Sequence, residues 1–314
     1  MKKLLLILLC LPFIGFGQQT YVPDDNFEQR LIDLGYDNVL DDYVQTSAID
    51  TVTSLDLQQN GTADYTGIED FIALTFFNCV NCAGSALDVS QNIHLTHLYC
   101  SDNYFTSLDV SNNTALVVLH CGLNELTSLD VSNNTALEDL SCRNTEITSL
   151  NVSNNTALEE LDCQQSQLTS LDVTQNTSLE RLDCSYNQII CLDISNNTSL
   201  FDLDCTHNLL NQLYTTNGNW LGMNIDAISN NLTCVEVDNI GFATNNWGFD
   251  SFTTISTNCN YTNPCATVSA IQEQTTNKQL LKVTDLLGRE TKQTNQPLFY
   301  IYDDGTVEKR IVIE

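Results

Sequence analysis

The chain has 314 residues, with 40 acidic side chains against 11 basic ones and a formal net charge of −29. A surface this negative repels phosphate backbones and anionic lipid, which disfavours nucleic acid and membrane surfaces as partners and favours cationic partners, polyols such as glycans, or bound metal ions. Thirteen cysteines would ordinarily indicate a disulfide framework, but seven of them recur periodically.

At the N-terminus, Lys2 and Lys3 precede an apolar run from Leu4 to Phe16, and Gly15 and Gly17 are small residues of the kind a signal peptidase reads. Residues 1–17 are therefore expected to be a secretory signal peptide. The run is too short to span a bilayer, and no later run is long enough to do so. Leu8 and Leu9 ahead of Cys10 argue against a lipid anchor. Without Lys2 and Lys3 the net charge becomes −31. Residues 18–50 are expected to form an N-terminal cap. Asp24 or Asp25, after Pro23, can cap a helix that runs to Leu34 and stops at Gly35. Phe27, Leu31 and Leu34 then share one face and should cover the first coil of the repeat segment.

Residues 51–240 are a repeat. Leu98-Tyr99-Cys100, Leu119-His120-Cys121, Leu140-Ser141-Cys142 and Leu161-Asp162-Cys163 recur every 21 residues, and Leu182-Asp183-Cys184 and Leu203-Asp204-Cys205 continue the series. Phe77-Asn78-Cys79 and Leu55-Asp56-Leu57 extend it backward, and Ile225-Asp226-Ala227 extends it forward, giving nine coils. A second block, Leu126 to Leu137, is copied in most coils. One unit, from Leu158 to Leu179, keeps leucine or cysteine at Leu158, Leu161, Cys163, Leu168 and Leu171. This pattern resembles the leucine-rich repeat, with cysteine in the third apolar slot, and the 21–22 residue period is similar to the internalin type. The expected fold is a mainly β solenoid of the α/β type: a nine-coil leucine-rich-repeat horseshoe with an N-terminal capping helix and a small β tail. The physics agrees. Leu-x-Cys is period two, so these side chains face one way, and stacked coils bury them as continuous columns about 4.8 Å apart. The nine coils should extend for roughly 40 Å.

Cys79, Cys100, Cys121, Cys142, Cys163, Cys184 and Cys205 are expected to be buried, unreactive thiols. Asn103, Asn124, Asn187 and Asn208 fall where each strand turns and can bond neighbouring backbone; Thr145, Ser166 and Cys82 replace them in other coils. Asp130-Val131-Ser132-Asn133-Asn134 and its copies read as side-chain-capped turns. Residues 241–266 are expected to cap the far end, with Trp247, Phe249 and Phe252 plugging it. Cys234 and Cys259 can form a disulfide that seals this end; Cys265 competes for either, and Cys191, on an outer turn, reads as a free thiol.

Residues 267–314 change character, and six of the 11 basic residues lie after Asn277. Leu281 to Leu286 alternates, Leu287 to Glu290 reads as a turn, and Phe299 to Glu314 reads as two strands around Asp304-Gly305. The D-L-x-G-R-E motif from Asp285 to Glu290 and the terminal hairpin resemble the type IX secretion sorting domain of Bacteroidetes. That resemblance implies the type IX secretion machinery as a partner, passage across the outer membrane, and retention at the cell surface or release.

No catalytic motif is present, and His94, His97, His120 and His207 are scattered, so the expectation is a non-enzymatic scaffold for adhesion or recognition of a protein or glycan. The other reading is a structural protein of the cell envelope or biofilm without a specific ligand. The concave sheet of such solenoids is the expected binding face. Its first half carries Phe76, His97, Tyr99, Val118 and His120. Its second half carries Asp139, Glu160 and Arg181, then Asp162, Asp183, Asp202 and Asp204. Asp162, Asp183 and Asp204 stack with no basic residue in register, so they are expected either to repel one another or to hold a cation, Ca²⁺ being the oxygen-seeking candidate. No other cofactor is implied.

Overall fold

The computed structural model describes residues 17–261 and 265, and the backbone of residues 280–284, 297–302 and 307–311. The signal-peptide reading of residues 1–16 lies outside the described residues, as do the turns at Leu287 to Glu290 and Asp304-Gly305. The chain forms two units, Met1–Cys265 and Ala266–Glu314.

The first unit begins with β1 (Gln19–Tyr21), α1 (Asp25–Asp33), β2 (Tyr43–Gln45) and α2 (Thr46–Ile49). Asp24 caps α1 by accepting from the N–H groups of Asn26 and Phe27. Phe27 and Leu31 are fully buried, but Leu34 is 39% exposed, because the helix ends one residue earlier and Leu34 sits at the C-cap, turned off the buried face. The antiparallel β1–β2 pair has no signature in the residue pattern. Its far end is tied down by Glu28, whose buried carboxylate accepts from the N–H groups of Asp41, Asp42 and Tyr43.

Each following coil contributes one short parallel strand: β3 (Ser54–Asp56), β4 (Phe76–Asn78), β5 (His97–Tyr99), β6 (Val118–His120), β7 (Asp139–Ser141), β8 (Glu160–Asp162) and β9 (Arg181–Asp183). After β10 (Cys191–Asp193) come β11 (Asp202–Asp204), β12 (Gln212–Tyr214), β13 (Asn224–Asp226), β14 (Cys234–Glu236) and, past α3 (Ile240–Asn246), β15 (Thr254–Ser256). Strands β3 to β9, β11 and β13 form one nine-stranded parallel sheet, the nine coils expected. The register is unbroken, with Leu98, Leu119, Leu140, Leu161 and Leu182 opposite one another. The solenoid is mainly β, as its period-two pattern required.

On the other wall of the last coils, β10, β12, β14 and β15 form a second, four-stranded parallel sheet that the repeat did not signal. Leu192, Leu213 and Val235 point inward from it and are fully buried, which joins it to the same core.

The seven column cysteines are free and between 0% and 1% exposed. Burial pushes their thiols up, Cys121 to about 12. Beside them, Asn103, Asn124, Asn187 and Asn208 each donate to carbonyls of their own and the preceding coil, as Asn124 does to Cys100 and Cys121. A second asparagine column is a finding of the structure. Asn113, Asn134, Asn155 and Asn176 read as turn residues, yet all are fully buried and each Nδ2 donates to two carbonyls of the preceding coil. The aspartates of the same segment do cap turns: Asp130 accepts from Ser132 N–H at 2.9 Å.

Trp247 closes the far end, buried and donating from Nε1 to the Met223 carbonyl, with Phe249 packed against the core. Phe252 is 61% exposed and takes no part, since it lies in the turn that leads into β15. Cys234 pairs with Cys259, while Cys191 is bonded to Cys265 and is not a free thiol. Cys259, Tyr261 and Cys265 thus each lie against a strand of the second sheet. Cys259 is fixed on β14, the Tyr261 ring lies 4.8 Å from that of Tyr214 on β12, and Cys265 is fixed on β10.

The second unit contains β16 (Leu280–Thr284), β17 (Pro297–Tyr302) and β18 (Val307–Ile311) in an antiparallel sheet, with β17 and β18 adjacent as the hairpin pattern implied.

Candidate functional site

Because each strand is three residues long with its middle residue buried, the two flanking residues of every coil face outward, and the backbone repeat places them in columns. The structure therefore sets the expected site residues side by side. His97, Val118, Asp139, Glu160, Arg181 and Asp202 make one column, and Tyr99, His120, Ser141, Asp162, Asp183 and Asp204 the other. Ser141 is 8% exposed and does not face solvent as expected, because it is the small residue between His120 and Asp162 on the adjacent strands.

The first half of the face is a connected aromatic cluster. The Phe76 and Tyr99 ring centroids are 5.5 Å apart, those of Phe76 and His97 are 6.3 Å apart, and His120 meets Tyr99 edge-on at 5.0 Å. Edge and tilted contacts of this kind hold the rings in fixed orientation. His120 Nε2 lies 2.9 Å from Asp139 Oδ2 and so joins the aromatic half to the acidic half. Burial, and then the Asp139 charge, raise the Tyr99 hydroxyl above its ordinary pKa.

The second half is a hollow of about 400 Å³ over β7 to β9, β11 and β13, with Glu160, Asp162, Asp183, Asp202 and Asp204 in its lining and Arg181 among them. Arg181 donates to Glu160 at 2.6 Å, and its guanidinium lies 5.1 Å from the Phe201 ring, so this cation is held by its own neighbours. The Asp column is less isolated than its strand register suggested. Asp162 accepts from Ser141 Oγ at 3.2 Å, and Arg143 Nε approaches it to 3.9 Å from the edge of the sheet. Arg143 can lie there because Gly122 stands beneath it; a Cβ at Gly122 would sit 2.7 Å from the Arg143 carbonyl. Asp183 Oδ1 is bonded by Ser185 N–H and Oγ, Oδ2 by Gln164 Nε2. Burial raises the Asp183 carboxyl above its ordinary range, its bonds to Ser185 oppose this, and the charges of Asp204 and Asp162 add to the rise. Among the described residues no group of three His, Cys, Asp or Glu side chains is arranged to hold a metal ion, and this includes Asp162, Asp183 and Asp204.

At the rim beyond the strands, Gln59, Asn81, Asp102, Leu123, Asn144, Gln165, Tyr186, His207 and Ser229 all have φ between +52° and +63°, one left-handed residue per coil. The Tyr186 and His207 rings stack there at 4.1 Å. No glycine marks these positions, so only Asn81, Asp102 and Asn144 hint at them in the sequence.

No protein-family profile matches the chain, and no curated protein matches it. Solved structures do. The chain is 30% identical to the functional domain of InlJ from Listeria monocytogenes, which includes a cysteine ladder, with a TM-score of 0.57 over 77% of this chain and 62% of that one. It is 21% identical to the internalin InlF of Listeria monocytogenes, with a TM-score of 0.63 over 75% and 71% of the two chains. It also superposes, at 23% identity and a TM-score of 0.54, on the leucine-rich-repeat ectodomain of an Arabidopsis thaliana membrane receptor kinase in complex with Casparian strip integrity factor 2, over 66% of this chain and 26% of that one. The chain thus spans less than two thirds of the InlJ domain it resembles.

Proposed function

We propose that this chain, a leucine-rich-repeat protein of internalin-like fold, is an exported recognition scaffold that binds a protein or glycan partner on the outer face of its nine-stranded sheet. The observation that carries the reading is the unbroken register of β3 to β9, β11 and β13, which fixes an aromatic cluster and an acidic hollow on one rigid surface. Stacked repeats give extended binding faces of this kind, and the Arabidopsis ectodomain of the same fold was solved with its partner bound. Among the described residues no helix is long and apolar enough to cross a membrane, and the two disulfides are compatible with an extracellular protein. The tail then serves as the type IX sorting signal.

Binding is tested with the full chain against cell-surface and secreted proteins and a glycan array. Val118→Arg, in the middle of the face, should abolish saturable and competable binding, while Thr127→Arg, on the exposed outer segment, should leave it unchanged. Equal binding by both variants, or none by the parent, overturns the reading. Sorting is tested in the native bacterium, where removal of Leu280 to Glu314 should leave the protein in the periplasm. Normal surface display of the truncated chain overturns that part.

A further inference from the structure

The aromatic cluster is an unpartnered sheet face, and the composition of its surroundings indicates what covers it. Phe76, His97, Tyr99 and His120 touch one another and are only half-buried, so their contacts orient the rings without removing them from water. Aromatic residues in such a setting supply the buried centre of protein interfaces. On the side toward the C-terminus the face continues into carboxylates, and the strand-borne cation among them, Arg181, is already bonded to Glu160 and stacked on Phe201. An apolar or acidic ligand lying across the strands would desolvate these carboxylates without compensation, whereas a basic one would pair with them.

We infer that the face docks an extended, positively charged segment of a partner protein, which seats an aromatic or aliphatic side chain on Phe76 and Tyr99 and carries lysine or arginine toward Asp162, Asp183 and Asp204. The inference rests on the sheet being the recognition face and adds the chemistry of the partner. The spacing follows from the strands. Tyr99 on β5 is three strands from Asp162 on β8 and four from Asp183 on β9, which at the strand repeat is about 14–19 Å. Extended chain covers that distance in about four to six residues. The segment therefore crosses the strands, with its apolar anchor and its basic group separated by about that many residues.

The experiment uses the full chain and three fluorescein-labelled peptides in fluorescence polarisation: Trp-Gly-Ser-Gly-Ser-Arg-Arg, the same peptide with Glu-Glu in place of Arg-Arg, and Trp-Arg-Arg-Gly-Ser-Gly-Ser. The first should bind saturably, at least 10-fold tighter than the second and several-fold tighter than the third, and should weaken steeply as salt rises. Tyr99→Ala should weaken it at least 10-fold and Asp204→Asn a few-fold, with both variants keeping the parent's far-ultraviolet circular dichroism. Asp204 on β11 is five strands from Tyr99 on β5, so its effect isolates the charge. Equal binding of the first two peptides, indifference to Tyr99→Ala, or no saturable binding of any peptide overturns the inference. If Val118→Arg still abolishes capture of a surface protein or glycan while the peptides fail, the recognition face stands and only the partner chemistry is lost.

Discussion

Two columns of buried asparagine run through the solenoid, and their bonding makes them unequally sensitive to truncation. Asn124 Nδ2 lies 3.0 Å from the carbonyls of Cys100 and Cys121 and 3.2 Å from that of Gly122, and its Oδ1 accepts from Phe105 N–H at 3.0 Å. An amide has two hydrogens, so Asn124→Ala removes two good donor bonds and leaves a buried backbone N–H without its acceptor. At about 1 kcal/mol per net bond and about 1–3 kcal/mol for the stranded donor, the cost is about 3–5 kcal/mol. Asn155 donates to the carbonyls of Val131 and Asn134 at 3.0 and 2.8 Å, but its Oδ1 is buried without a partner. Both carbonyls keep a backbone partner, the N–H groups of Asn134 and Leu137 respectively. Asn155→Ala therefore loses about 2 kcal/mol of bonding and recovers about 1 kcal/mol by removing an unpaired buried oxygen, for a net cost of about 1 kcal/mol. Urea denaturation of the two variants at neutral pH, followed by far-ultraviolet circular dichroism, should separate them by at least about 2 kcal/mol with unchanged m-values. Equal losses, or a larger loss for Asn155→Ala, would refute the assignment of bonds to the two columns.

Cys121 and Cys163 should resist iodoacetamide until the protein is unfolded, and Cys142→Ser should cost roughly 1–3 kcal/mol because the hydroxyl enters an apolar column. Asp183 has a folded pKa above its unfolded one, so its carboxylate costs stability above the folded value and the cost fades as pH falls through it. Asp183→Asn, which keeps the acceptor for Ser185, should therefore stabilise the protein by less than about 1 kcal/mol at neutral pH, with no gain at acid pH, as read from melts across that range. Asp88 and Asp130 carry the opposite sign: bonds from Ser90 and Ser132 lower their pKa, so the stability they add is present above the ordinary carboxylate range and is lost as pH falls through the folded values. Gln165→Gly, at φ +52°, should raise the urea midpoint by relieving about 1–2 kcal/mol of left-handed strain against a smaller entropic loss, whereas Asn144→Gly should change little.

The nine-stranded sheet and its register were legible because two signals coincide: alternation within each Leu-x-Cys or its variant and a step of 21 or 22 residues. They also placed Tyr99, His120, Asp183 and Asp204 in one outward column. What escaped was whatever depends on neighbours in space. Ser141 is buried by the size of His120 and Asp162 on adjacent strands, and Arg143 reaches Asp162 from outside the strand register. Asn134 was hidden by its partner: paired asparagines look like a turn. The first of each pair becomes Gln91 or Gln175 in other coils while the second, from Asn92 to Asn197, never changes, and that contrast is the signal that could have found the inner column. The Cys191–Cys265 pairing had no sequence signal, because partners 74 residues apart are brought together only by the second sheet.

That pairing also decides how the molecule bears load. A pull applied beyond Cys265 does not travel back along the chain; it crosses the disulfide to Cys191, in the seventh coil. The segment between the two half-cystines, a sequence separation of 74, is covalently out of the line of tension, and the Cys234–Cys259 loop is nested inside it. Stretched between its N-terminus and its tail, the oxidised chain would withhold about 250 Å of contour length that the reduced chain would release. Its last two coils would be mechanical bystanders, still folded when coils nearer the N-terminus had been peeled away.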